Sequence, residues 1–74
     1  MPYERITSNP AIMLGKPCIT GTRITVELIL NWLAAGRSFA DLLEAYPQLT
    51  DGDIRSALAY AAEVVTRSRP VAAE

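Results

Sequence analysis

Residues 25–36 read TVELILNWLAAG and contain the most apolar stretch of the chain. Thr25 is a suitable N-cap, Glu27 suits the positive start of a helix, and Gly36 supplies a left-handed stop. One apolar stripe recurs at helical spacing and consists of Val26, Ile29, Leu30 and Leu33. The pattern therefore predicts an amphipathic helix over this stretch.

A second apolar face of the same helix carries Leu28, Trp32 and Ala35. A helix that is apolar on two faces must be covered on both. The sequence allows two explanations of how Leu28 and Trp32 are buried. Either the N-terminal arm of the same chain folds over them, or a second subunit does, since large aromatic residues anchor interfaces. These three residues are the candidate dimer or partner interface.

A short second helix is predicted next. Ser38 is a good N-cap, and Asp41 stands at the third helical position, which is a variant of the capping-box spacing. Pro47 ends the helix, because the residue before a proline is biased away from helical geometry.

The third predicted helix is capped by Thr50 and continues at helical spacing to about Thr66. Asp51 and Asp53 stand in its first turn, where carboxylates stabilise a helix start. General acid–base catalysis would need a pocket and a second group, and the sequence indicates neither. Two short helices followed by a long one suggest a helix-turn-helix trio.

Residues 1–25 are predicted to form an extended arm. Pro10 and Pro17 push the residues before them toward extended geometry, and Gly15 and Gly21 suit turns. Brief strands are expected in two or three of four short runs, around Ile6, Ile12 to Leu14, Cys18 to Ile19, and Ile24.

The predicted fold is mainly α, a single three-helix, helix-turn-helix-like domain with a short N-terminal β-arm. It spans residues 1–69, with the arm over 1–25 and a helical body over 26–69, and residues 70–74 form a frayed tail. Half of the 74 residues are hydrophobic, yet so short a chain buries only roughly 60% of its unfolded surface. We therefore expect a homodimer.

The formal net charge is −1, which argues against a protein that coats nucleic acid by charge alone. The charges are nevertheless separated into a mildly basic arm and an acidic body. Arg5, Lys16 and Arg23 in the arm are candidate DNA contacts, and Arg55 is a fourth candidate because it follows the start of the third helix.

Composition excludes several classes of site. The chain has no histidine and a single cysteine, Cys18, so the usual zinc ligand sets and an internal disulfide are excluded, and Cys18 is expected to be a small buried hydrophobe. Gly15-Lys16-Pro17 does not continue into the helix that a phosphate loop needs. We expect no enzyme, no catalytic residue, no metal and no cofactor. With neither a signal peptide nor a membrane span, the expected location is the cytoplasm.

Six short motifs then stand in a recognisable order: Arg5-Ile6, Asn9-Pro10, Gly15-Lys16-Pro17, Gly21-Thr22-Arg23-Ile24, Tyr46-Pro47-x-Leu49-Thr50, and Asp53-Ile54 through Tyr60-Ala61. Over roughly residues 4–63 the chain resembles the bacterial domain of unknown function 433 family. The resemblance implies a compact helix-turn-helix-like antitoxin, often encoded beside a PIN-like nuclease toxin. Such antitoxins neutralise the toxin by direct binding, and the resemblance implies operator DNA as a second ligand.

Two functional hypotheses follow. The first is a dimeric antitoxin-type module for which toxin binding and operator binding are separable activities. The alternative is a plain protein–protein interaction or dimerisation module without a role in nucleic-acid binding. The acidic body favours protein binding, whereas a basic arm doubled by dimerisation favours DNA binding.

Overall fold

Three helices and a two-stranded hairpin make up the computed structural model, which describes residues 5–11 and 13–68. The helices are α1 (Val26–Ala34), α2 (Phe39–Ala45) and α3 (Asp51–Ser68), and the strands are β1 (Ile6–Thr7) and β2 (Cys18–Ile19). The prediction of a mainly α fold with three helices and a short β-arm is confirmed. The expected tail, residues 70–74, lies outside the described residues.

The arm is an antiparallel hairpin in which Ile6 pairs with Ile19 and Thr7 with Cys18. Two of the four expected strand runs are therefore confirmed. The candidate run between residues 12 and 14 is not a strand in its described part, because Met13–Gly15 forms a 3-10 turn. Leu14 adopts a φ of 58° there, a left-handed conformation that a strand does not contain.

Local capping fixes α1 at both ends. The Thr25 hydroxyl accepts a hydrogen bond from the Leu28 amide at 3.0 Å. After the last turn, Gly36 has a φ of 92°, and the Arg37 amide donates to the Trp32 carbonyl at 3.0 Å. Together with the Gly36 amide bond to Leu33, this is a Schellman ending. The predicted start and stop are both confirmed.

The other two helices each begin with a reciprocal capping box. The Ser38 amide donates to the Asp41 carboxylate at 2.9 Å, and the Asp41 amide donates to the Ser38 hydroxyl at 3.1 Å. Thr50 and Asp53 exchange the same two bonds, both at 3.1 Å. Each box satisfies backbone donors that a helix start leaves unpaired.

A single core lies where the three helices meet β2. Its most deeply buried large apolar side chains come from β2 and from all three helices: Ile19, Ile29, Leu42 and Ile54. Cys18 is also buried, as expected for a small hydrophobe. Among the described residues, no helix is both long enough and apolar enough to cross a membrane.

Candidate protein-binding surfaces

The first surface lies at the C-terminal end of α1, where Trp32 is half-buried. Its indole ring meets the Tyr46 ring edge to face, with centroids 5.6 Å apart and planes at 66°. The Arg37 guanidinium lies over the indole ring, 5.0 Å from its centroid. We call Trp32, Ala35, Arg37 and Tyr46 the tryptophan patch.

The Schellman ending of α1 explains this arrangement. The chain turns back at Gly36, and this brings Arg37 beside the last turn of the helix, where its amide donates to the Trp32 carbonyl. A cation over an aromatic ring is held by the ring quadrupole. The patch is therefore organised before any partner arrives.

A hollow of about 230 Å³ opens beside the tryptophan patch, lined by Asn31, Trp32, Ala35 and Arg37. Asn31, Ala35 and Arg37 are exposed. Tryptophan, tyrosine and arginine are the residues most enriched among the energetic anchors of protein interfaces. This hollow can receive a side chain from another protein.

The three interface residues predicted from the sequence differ in burial. Leu28 and Trp32 are half-buried and pack against the core, whereas Ala35 is exposed. Tyr46, at the end of α2, is one cover that the chain itself provides for Trp32. The sequence suggested the N-terminal arm or a second subunit as the cover of Trp32, and not a residue of α2 or its end.

The second surface is a groove of about 300 Å³ between α1 and the C-terminal half of α3. Its apolar walls are Pro17, Val26, Leu30, Tyr60, Ala61, Val64 and Val65. The exposed Lys16 and Glu27 form its edge, and Asn31 lines both this groove and the hollow beside Trp32. Val64 is 41% and Val65 68% exposed. We call this the α1–α3 groove.

Among the four basic candidates, Arg5 joins the arm to α3. Its guanidinium donates to both carboxylate oxygens of Asp53, at 2.8 and 3.3 Å. The Asp53 side chain is 2% exposed and that of Arg5 48%. The hydrogen bond from Arg5 lowers the pKa of Asp53 although burial opposes this, and the Thr50 bonds lower it further.

The other basic candidates are exposed. Lys16 pairs with Glu27 at 3.2 Å across the edge of the groove. Arg55 pairs with Asp51 one helical turn earlier at 2.6 Å, and Arg23 lies in the loop before α1. Exposed pairs of this kind contribute little and exchange readily. Arg5 and Arg55 thus both lie near the start of α3, each bound to an aspartate.

Sequence reasoning missed Arg37 and the partnership of Arg5 with Asp53, whereas it expected Tyr46 at the edge of the core or in an interface, and Tyr46 packs against the core. The glycine stop signalled that the chain turns back after α1, which could have pointed to Arg37. No local pattern could have paired Arg5 with Asp53, because 48 positions separate them. Within residues 5–11 and 13–68, no group of three histidine, cysteine, aspartate or glutamate residues is placed to hold a metal ion.

The fold and its surfaces define a small, mainly helical domain with a hairpin arm and two candidate binding surfaces beside α1. The family described as "Protein of unknown function (DUF433)" matches residues 6–61, and the chain belongs to this family. "Uncharacterized protein y4eO" of Sinorhizobium fredii (strain NBRC 101917 / NGR234) is 41% identical over 66 residues, which cover 89% of this chain and 30% of that protein. The chain therefore spans less than a third of that relative's length. No solved structure matches the chain.

Proposed function

We propose that this chain is a cytoplasmic antitoxin-type module, without catalytic activity of its own, that binds and neutralises a PIN-like nuclease toxin through the tryptophan patch. The observation that carries this proposal is the contact of Trp32 with both Arg37 and Tyr46 beside an open hollow. The family resemblance supplies the class of partner, and the patch supplies a surface suited to it.

Affinity for a folded partner depends mostly on a few side chains that already have their binding conformation before the partner binds. Trp32 already contacts Tyr46 and Arg37, so it loses little conformational freedom on binding. The guanidinium of Arg37 remains charged and presents planar donors that suit a carboxylate of the partner. A side chain of the partner that fills the hollow would contact both residues.

The test blocks the hollow without touching the core. Ala35 is exposed, so Ala35→Arg leaves the fold intact and fills the space that the partner needs. We expect affinity for the PIN-like nuclease encoded beside this chain to fall at least about 30-fold, which corresponds to ~2 kcal/mol at an interface anchor. Isothermal titration with the purified nuclease measures this change.

The matched control is Ala59→Arg, the same change at an exposed alanine of α3, which should bind as wild type does. Equal affinity of the Ala35→Arg variant and wild type would show that the patch is not the toxin surface. A neighbouring reading frame whose product is not nuclease-like, or does not bind, would contradict the antitoxin proposal itself.

Operator binding is a second candidate activity. The observation that favours it is the exposure of Lys16 and Arg23 on the connections of the hairpin arm. The start of α3 is a weaker candidate, because Asp51 is exposed there beside Arg55 and would face phosphates. The arm is therefore the element on which a DNA test should be made.

A further inference from the structure

The α1–α3 groove is uncovered because its two helices differ in length. α3 has 18 residues and α1 only 9, so α3 is about 27 Å long and α1 about 13 Å. The last turns of α3 keep apolar side chains on the side facing the groove. Val64 and Val65 are the most exposed of these. We expect another surface to bind such an exposed apolar helix face.

We propose that a second copy of this chain covers the α1–α3 groove, making the protein a two-fold homodimer through this face. This places the dimer interface beside the tryptophan patch rather than on it, with Asn31 bordering both surfaces, and it does not depend on the identity of the toxin. One surface then joins identical chains, while the other stays available to a different protein.

Shape is the first argument for a second copy. The groove has an exposed apolar wall, here called the ridge, because Val64 and Val65 line it and are 41% and 68% exposed. In a two-fold interface the same patch serves both subunits, so a patch must complement itself. A groove next to a ridge does so, since the ridge of each copy can enter the groove of the other.

Charge at the edge of the groove is the second argument. Lys16 and Glu27 stand there together, 3.2 Å apart and both exposed. An edge of one sign would repel an identical copy, whereas an edge that carries one cation and one anion can meet itself with opposite charges facing. The walls between are apolar, as in homodimer interfaces, which are more apolar than interfaces between proteins that also exist apart.

Area is the third argument. A standard interface takes about 800 Å² from each partner, which is roughly a sixth of the 5084 Å² that the chain exposes. Two helices side by side, about 27 and 13 Å long and each about 10 Å across, present a face of roughly 400 Å². A standard interface would therefore extend beyond the groove onto the surface around it. Only nine hydrophobic side chains are buried among the described residues, although half of the chain is hydrophobic.

The test is the mass of the protein in solution. We expect light scattering at tens of micromolar to give twice the 8.1 kDa of one chain. Val65→Glu should give the single-chain mass, because a glutamate in a desolvated groove, present twice in each dimer, raises the dissociation constant by roughly a hundredfold or more. Val65 is 68% exposed in the single chain, so circular dichroism should show an intact fold.

Ala59→Glu is the control, because it adds the same charge to α3 at an exposed site outside the groove, and it should remain a dimer. A wild-type protein with the single-chain mass would overturn the proposal. So would a Val65→Glu variant that stays dimeric, and a dimer that dissociates with Ala35→Arg but not with Val65→Glu would move the interface to the tryptophan patch.

Discussion

Arg5 and Asp53 show how one pair of residues joins the arm to the helical body. Asp53 accepts from Thr50 within its own helix start and from Arg5 across 48 positions of sequence. The two aspartates at the start of α3 therefore differ in role, although the sequence assigned both to helix capping. Asp51 is an exposed helix-start charge, whereas Asp53 also anchors the arm.

Asp53→Asn should lower the free energy of unfolding by about 1–3 kcal/mol near neutral pH, because a hydrogen bond between charged groups is lost. The pKa of Asp53 in the folded state lies below its unfolded value. Its contribution is therefore full above the unfolded pKa of about 3.9 and is lost as the pH falls through the folded pKa.

Urea unfolding followed by circular dichroism checks this. The difference between wild type and Asp53→Asn should be smaller at about pH 3 than at about pH 7. Asp51→Asn is the control and should cost only about 0.3–1 kcal/mol. A difference for Asp53→Asn that does not change with pH would contradict the ion-pair account.

The sequence predicted the helix boundaries best, because capping interactions involve residues that are close together in sequence. Thr25, Ser38 and Pro47 act within a few residues of themselves, so their positions alone place the ends of α1 and α2. The 3-10 turn at Leu14 was missed, since an apolar residue in a left-handed conformation is uncommon. The α1–α3 groove was missed because it depends on the relative placement of two helices.

The arm is the element on which operator binding depends. Lys16 and Arg23 occur twice in a dimer, and neutralising four phosphates would give a slope of log K against log salt of about −3.6, at ~0.9 per phosphate. Arg5 is not counted, because the buried Asp53 holds it. The Lys16→Ala, Arg23→Ala double variant should flatten the slope by that amount in a fluorescence-anisotropy titration.

Arg55→Ala is the informative comparison for the double variant. It should relax sequence preference while leaving most of the salt dependence intact, because a side chain at the start of α3 would read a base edge. Failure to bind the DNA upstream of its own gene even at about 50 mM salt, where phosphate contacts are strong, would remove operator binding from the account.

At the scale of the whole molecule, the central feature is a short helix, α1, that borders two candidate binding surfaces. One is the tryptophan patch and the other is the α1–α3 groove. In the Sinorhizobium relative the matched region is 30% of the protein, so a similar domain also occurs within a longer chain. We propose that the patch meets the toxin and that the groove meets a second copy.

The most direct test of the antitoxin account is the activity of the proposed partner, a PIN-like nuclease encoded beside this chain, titrated with the purified chain. If the chain neutralises the nuclease by binding through its tryptophan patch, cleavage of the nuclease's substrate should fall in proportion to the chain added and stop once every nuclease is bound. The Ala35→Arg variant should require far more protein for the same inhibition, and Ala59→Arg should match wild type. Cleavage that continues unchanged in a large excess of the wild-type chain would contradict the account.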